Sequence, residues 1–367
     1  IWDYLSEAGY RVGVIGVPGT YPPKKVNGFM IAEGLDAKEE GFTYPRDLEE
    51  RIKNEYGYRL RPKTLINLDK DKASREIKDI IDVKFRVAKT LADEYEVDFL
   101  QVTSFEINTM HHFLWNDERT KECWKIIDHH IHNFLKDEET NVMLVSDHGS
   151  NEIKTVFNIN TWLEKMGYLK TSTSSSSLLR HLGITQELLS KVLHRLGLGK
   201  LAKKVPKNIV ERIPSSSGEI KKKTDVINWE KSKVIASGQG PIYLKAKNEK
   251  ERNKLSIKIK KELEKLTCPI TGEKIVNKVY LKQEIYSGKY LNEAPDLIID
   301  QAKGVHIPGG IGMKELFSAP REWRAENKKW GLFAAYGPDI KSGKKIKISI
   351  LDLAPTILHM FNVPVPL

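Results

Sequence analysis

The sequence predicts an α/β fold built in layers, on three observations. Short, uninterrupted apolar runs end in Gly, Pro, Ser or Asp, as in Val142-Met143-Leu144-Val145-Ser146-Asp147-His148-Gly149, and read as strands buried on both faces. Between them lie amphipathic stretches with helical spacing, such as Ile77, Ile80, Ile81, Val83, Val87 and Leu91. The two kinds alternate along the chain, the pattern of strands connected by helices.

In order, residues 1–8 read as an amphipathic helix, and Gly9 leads into a strand at 11–17. Pro18, Gly19, Pro22 and Pro23 then force a loop, read either as a plain turn or as a functional loop beyond a strand end. Pro45-Arg46-Asp47 opens a helix that runs to about residue 56, and a longer helix spans 72–94. A strand at 97–103 is followed by residues 104–115, where Asn108 and His112 share a face if the segment turns helical. The helix at 117–136 contains Asp128-His129-His130-Ile131-His132, but these histidines lack i,i+4 spacing and read as a solvated or half-buried face. A short helix at 158–168 follows the Ser-Asp-His-Gly strand. Apolar runs resume at 234–237, 242–244, 276–281 and 297–299, with a charged helix at 249–266 among them. Residues 331–338 form another buried strand, and Asp352 caps a last helix at 353–361.

Composition narrows the class. With 367 residues, 40% hydrophobic and 30% charged, the chain is an ordinary globular protein large enough for two domains or one with an insertion. No apolar run approaches the ~20 residues that span a bilayer. Cys123 and Cys268 match no metal spacing and read as free thiols of a reducing compartment, so a cytoplasmic location is expected. The net charge of +11 is uneven: residues 170–223 hold 12 Lys/Arg against 3 Asp/Glu. Flanked by the Ser/Thr-rich 171–177 and by Ser215-Ser216-Ser217-Gly218, residues 170–225 read as a small basic helical insertion. It is either a solvated decoration or a cap that attracts an anionic substrate. Its basic residues are not interleaved with aromatic ones, which argues against specific nucleic-acid binding.

The functional signal sits at Ser146-Asp147-His148-Gly149. Ligands of open α/β sheets bind beyond the carboxyl ends of strands, and a carboxylate beside an imidazole suits a divalent metal such as zinc. The alternative is that Asp147 caps a helix and His148 faces solvent.

Taken together, several segments in a fixed order give a more specific signal. They are residues 2–23, His112-Phe113-Leu114-Trp115, Ser146-Asp147-His148-Gly149 with 156–169, Ile227-Asn228-Trp229, Ala294-Pro295-Asp296-Leu297-Ile298, Tyr336-Gly337-Pro338-Asp339-Ile340 and Asp352-Leu353-Ala354-Pro355-Thr356. With them the chain resembles the type I phosphodiesterase/nucleotide pyrophosphatase family of the alkaline phosphatase superfamily over nearly its whole length. The resemblance implies a central, mostly parallel sheet between helical layers, formed by residues 1–169 and 226–367, with 170–225 as the insertion. It also implies one or two divalent metals, most often zinc with manganese or calcium as alternatives, and a small anionic phosphate-ester substrate. One metal site of the family includes the Asp-His matched by Asp147 and His148. The other uses an Asp, a His four residues on, and a later His.

Three departures follow. The family's strand bearing a metal-binding Asp and the Thr or Ser nucleophile is expected upstream of Ile1, so no catalytic nucleophile is assigned within this chain. The position four before His112 is Asn108, not Asp. The later His falls at or near Asn327, with His306 as a substitute ligand or a plain loop residue. Two neutral amides in place of Asp and His weaken a dication site, and Lys328 and Lys329 place positive charge beside it. The resemblance leaves three readings: a metal-dependent phosphodiesterase or pyrophosphatase, a one-metal phosphotransferase or sulfatase of the superfamily, or a non-catalytic binding protein of that fold. The sequence carries no signal for an oligomeric state.

Overall fold

A computed structural model describes residues 1–34, 36–171 and 226–366. The basic insertion expected at 170–225 therefore lies outside the described residues except for its first two. The chain divides into two compact units, residues 1–151 with 322–367, and residues 152–321.

The first unit is built on one strand. After helix α1 (Trp2–Glu7), strand β1 (Val12–Pro18) pairs in parallel with β2 (Gly28–Glu33) on one side. On its other side it pairs, also in parallel, with β4 (Phe99–Val102). The short β3 (Thr43–Tyr44) adds an antiparallel edge to β2. Gly28 lets β2 approach, since a Cβ there would lie 2.2 Å from the Val12 carbonyl oxygen. Side chains alternate across this sheet into separate cores. Ile15, Phe29 and Ile31 pack with helices α2 (Leu48–Tyr56) and α3 (Lys70–Glu94) through Ile52, Val83, Val87 and Leu91. Val12, Val14, Met30 and Ala32 pack on the opposite face against Leu5 of α1 and Leu358 of the C-terminal helix. Helices on both faces of a parallel sheet are what the alternating pattern predicts.

Helix α3 begins two residues earlier than the spacing suggests, because Asp69 caps it by accepting from the Lys72 amide at 2.9 Å. Its further face, Ile77, Ile81 and Phe85, packs with α4 (Glu106–Phe113) and α5 (Glu118–Phe134) through Met110, Leu114, Cys123 and Ile127. On α5, His130 is buried, stacks on Phe85 and bonds Asp82 at 2.9 Å, while His129 and His132 are exposed. That cluster is a helix face, as its spacing indicates.

Two expectations need correction. The strand β5 (Val142–Val145) is not buried on both faces; its residues are half-buried and Val145 is 44% exposed. Among the described residues it pairs only with β15 (Phe333–Tyr336), antiparallel, and Tyr336 there is 66% exposed. An apolar run states a capacity for burial, but a partner on one edge meets only part of it. Second, the run at 331–338 is not a buried strand either: β15 alternates between half-buried and exposed residues, and Leu332 before it is exposed.

Turning to the second unit, β7 (Thr155–Phe157), which follows β6 (Gly149–Glu152), leads into α6 (Ile159–Lys165). Strands β8 (Val234–Ala236), β9 (Pro241–Leu244), β10 (Val276–Leu281) and β11 (Leu297–Gln301) form an antiparallel sheet in the order β10-β11-β9-β8. It is flanked by α7 (Glu249–Glu264) and the short α8 (Lys282–Ile285). Strands β12 (Val305–His306) and β13 (Phe317–Ser318) flank β7, and β14 (Ala325–Lys328) returns the chain to the first unit ahead of β15. The last helix, α9 (Leu353–Met360), begins after Asp352, but Asp352 does not cap it: its carboxylate accepts from the Ser349 amide at 2.7 Å and closes the 3-10 turn that precedes the helix. Among the described residues no helix is long and apolar enough to cross a membrane.

Asn160 pins the second unit. Its amide donates to the carbonyls of Ala236 (2.9 Å) and Gly309 (3.1 Å), and its oxygen accepts from the Ala236 amide (3.0 Å), all fully buried. Asn160→Leu leaves all these backbone groups unpaired, at about 1–3 kcal/mol each. We expect a destabilisation of at least about 3 kcal/mol in urea denaturation, with the slope unchanged.

Candidate active site

The Ser-Asp-His-Gly turn begins where β5 ends and leads directly into β6. No helix starts here, so the capping alternative for Asp147 does not apply. Two glycines allow the turn its neighbour. A Cβ on Gly149 would lie 1.9 Å from the Trp330 carbonyl oxygen, and one on Gly331 would lie 2.5 Å from Ser146 Oγ. Ser146 fastens the contact: its Oγ accepts from the Leu332 amide at 2.6 Å, and its own amide donates to the Leu332 carbonyl at 3.0 Å. The segment carrying Asn327 is thus held against the turn carrying Asp147 and His148, with β14 paired to β6.

Residues 106–113 are helical, so Asn108 and His112 lie one turn apart on α4. His112 is 5% exposed and held on two sides. Its ring stacks on Trp323 at 3.8 Å between centroids and 22° between planes. Its Nδ1 lies 2.8 Å from the Ala325 carbonyl oxygen, which can only accept. Nδ1 is therefore the protonated nitrogen, and in the neutral ring Nε2 carries the lone pair. A backbone carbonyl holding the far nitrogen is the support that metal-ligating histidines usually have. On His148, Nδ1 lies 3.0 Å from the Gly149 carbonyl oxygen and Nε2 lies 3.6 Å from Asp147 Oδ1. Asp147 itself is 77% exposed at its side chain.

His111, next to His112 on α4, has its pKa lowered by burial first and then by the charges of His112 and His148. Trp124 Nε1 donates to His111 Nε2 at 2.9 Å.

The donor set fits a cation in part. The carboxamide oxygens of Asn108 and Asn327 are buried and have no hydrogen-bond donor, as is Asn151 Oδ1 on β6. A buried acceptor without a donor is costly and calls for either a donor or a cation. Yet among the described residues no three His, Cys, Asp or Glu side chains are close enough to hold a metal. Asp147 and His148 stand at the turn after β5, Asn108 and His112 on α4, and Asn327 on β14. His306 lies on β12 of the second unit.

Trp323 and Ala325, which fix His112, give no local signal in the sequence; only the returning β14 brings them there. A buried lysine in the apolar stripe of α3 does give one, since Lys84 falls seven residues after Ile77 and seven before Leu91.

A parallel sheet covered by helices on both faces is an α/β architecture, and the Asp-His pair follows β5, a strand of a separate antiparallel pair. The family model for type I phosphodiesterase / nucleotide pyrophosphatase matches residues 1–330, and the chain belongs to that family. No curated protein matches the sequence closely enough to count as a relative. Similar solved structures include phosphonoacetate hydrolase from Sinorhizobium meliloti 1021 in complex with phosphonoacetate, at 10% identity and TM-score 0.47, covering 94% of this chain and 70% of that one. The same enzyme with phosphonoformate gives a TM-score of 0.44 at the same identity and coverage.

In the metal-free protein the His111 imidazole should titrate below the ordinary value of about 6.5. Its neutral form is favoured in the fold, so its contribution to stability is complete above the unfolded value and is lost as pH falls through that window. Proton NMR of the histidine Cε1 resonances, assigned with His111→Gln, reads the midpoint.

Proposed function

We propose that this protein hydrolyses phosphodiester or pyrophosphate bonds in a small anionic substrate, with a divalent metal held at Asp147 and His148. The observation that carries the reading is the strand-end Asp-His turn, clamped to the Asn327 segment, in a chain of this family. Oxygen and nitrogen donors of this kind favour zinc, with manganese or calcium also served by the carboxylate. The ion, when bound, supplies Lewis-acid polarisation of a phosphoryl oxygen and activation of a hydroxyl nucleophile. In this reading a Thr or Ser hydroxyl attacks phosphorus in line as the bond to the departing alkoxide or phosphate breaks, and water then cleaves the resulting phospho-enzyme ester to free the hydroxyl and release the phosphoryl product.

The chain's own residues act around that centre. Asp147 brings the set's negative charge. His148 is oriented by the Gly149 carbonyl, and His112 by Ala325 and Trp323, so both present fixed lone pairs rather than rotating rings. Asn108 and Asn327 offer oxygens without charge, and Lys328 and Lys329 follow directly. Neutral ligands beside lysines favour a single metal over two. This composition also supports a second reading, a one-metal phosphotransferase or sulfatase of the same superfamily.

Elemental analysis of full-length protein purified without chelator should find one zinc-like metal per chain. Two would restore Asn108 and Asn327 as full ligands, and none would point to a binding protein without catalysis. Asp147→Ala should lower hydrolysis of an aryl phosphodiester by about 10³-fold or more, the scale of losing a principal electrostatic group. Unchanged activity would sink the site assignment. Turnover of an aryl sulfate with none of the diester would move the assignment to the second reading.

A further inference from the structure

Lys84 is a fully buried cation that the proposed chemistry does not use. Its Nζ lies 2.7 Å from Glu106 Oε1, 2.9 Å from Glu33 Oε1 and 3.3 Å from the Thr103 carbonyl oxygen. Both carboxylates are themselves 7% exposed. Tyr58 donates to Glu33 at 3.3 Å and Ser104 to Glu106 at 3.2 Å, which completes the network. Gly16 makes room for it: at φ +76, a Cβ there would lie 2.5 Å from the Thr103 oxygen and 3.1 Å from Lys84 Nζ. Gly16, Glu33 and Thr103 lie at the carboxyl ends of β1, β2 and β4.

Such a network is a poor way to gain stability. Desolvating the ions offsets most of their attraction, and apolar side chains of similar volume do as well. What it supplies is a fixed direction and distance. Glu106 is the first residue of α4, an eight-residue helix that carries Asn108 and His112. The other end of that helix is held by the Ala325 carbonyl and by the Arg324 amide donating to the His112 carbonyl. In so short a helix, a tie at the first residue sets both rotation and rise.

We propose that Lys84 is a positioning residue: through Glu106 it locks α4 to the ends of the parallel strands and so sets where Asn108 and His112 stand. The meaning for catalysis rests on the site reading above; the tie does not. Burial pushes the Glu33 carboxyl up, against the pull of Lys84. Glu33 ends β2 and carries no residue of the site, whereas Glu106 opens the helix that carries Asn108 and His112.

The test compares Glu106→Met with Glu33→Met in the full-length protein. Each removes one carboxylate from Lys84, and only the first releases α4. The first readout is the imidazole Nδ1–H resonance of His112, bonded to Ala325 and identified by its loss in His112→Gln. The second is the split between kcat and KM. Glu106→Met should displace the resonance and lower kcat by about 10–100-fold with KM little changed, as for a misplaced catalytic group. Glu33→Met should leave the resonance in place and kcat unchanged. Equal effects of the two variants, or an unmoved resonance in folded Glu106→Met, overturn the proposal. If Glu106→Met does not fold, Glu106→Gln reads the same quantities. A displaced resonance with unchanged kcat upholds the tie and overturns the site reading instead, an outcome that an active Asp147→Ala would share.

Discussion

Strand β1 has parallel partners on both sides and cores on both faces, and the first unit is arranged around that constraint. Parallel strands point their carboxyl ends the same way, so Gly16, Glu33 and Thr103 arrive at one edge whatever their side chains prefer. Polar ends so concentrated and so buried need a counter-charge. The chain provides it from the opposite layer, through Lys84 of α3. The same edge therefore joins sheet, crossover helix and α4 by charge, while apolar packing holds the faces.

The site combines two ways of fixing a side chain. On α4 a side chain is fixed by enclosure: His112 is buried, stacked on an indole and bonded to a carbonyl. At the Ser-Asp-His-Gly turn it is fixed by backbone approach. Gly149 and Gly331 bring two segments within reach, Ser146 bonds across, and Asp147 remains open to water. Enclosure suits a neutral ligand, whose tautomer must be set. Exposure suits a carboxylate, which keeps its charge without the penalty of burial.

Much of this was legible in the sequence. Helical spacing gave α3 and α5, and Gly and Pro marked most turns. The Asp-His pair after an apolar run marked the turn at which a metal is proposed. What escaped was what depends on distant partners. The β2 run has no periodicity to separate it from a buried helix turn. The exposure of β5 depends on which strands pair with it. Trp323 and Ala325 meet His112 only because β14 returns more than two hundred residues later. Lys84 was readable in principle. A lysine at a core position of an apolar stripe must find a buried partner, although the spacing does not say which.

The charge balance of the site then follows from its supports. His112 donates its Nδ1–H to the Ala325 carbonyl, which can only accept, and its ring stacks on Trp323. Asn108 and Asn327 add none of the negative charge that a second dication calls for. Asp147 is left as the carboxylate of the set. On the proposed reading the exposed turn supplies the charge that a cation meets, and the enclosed His112 supplies a ring of fixed orientation.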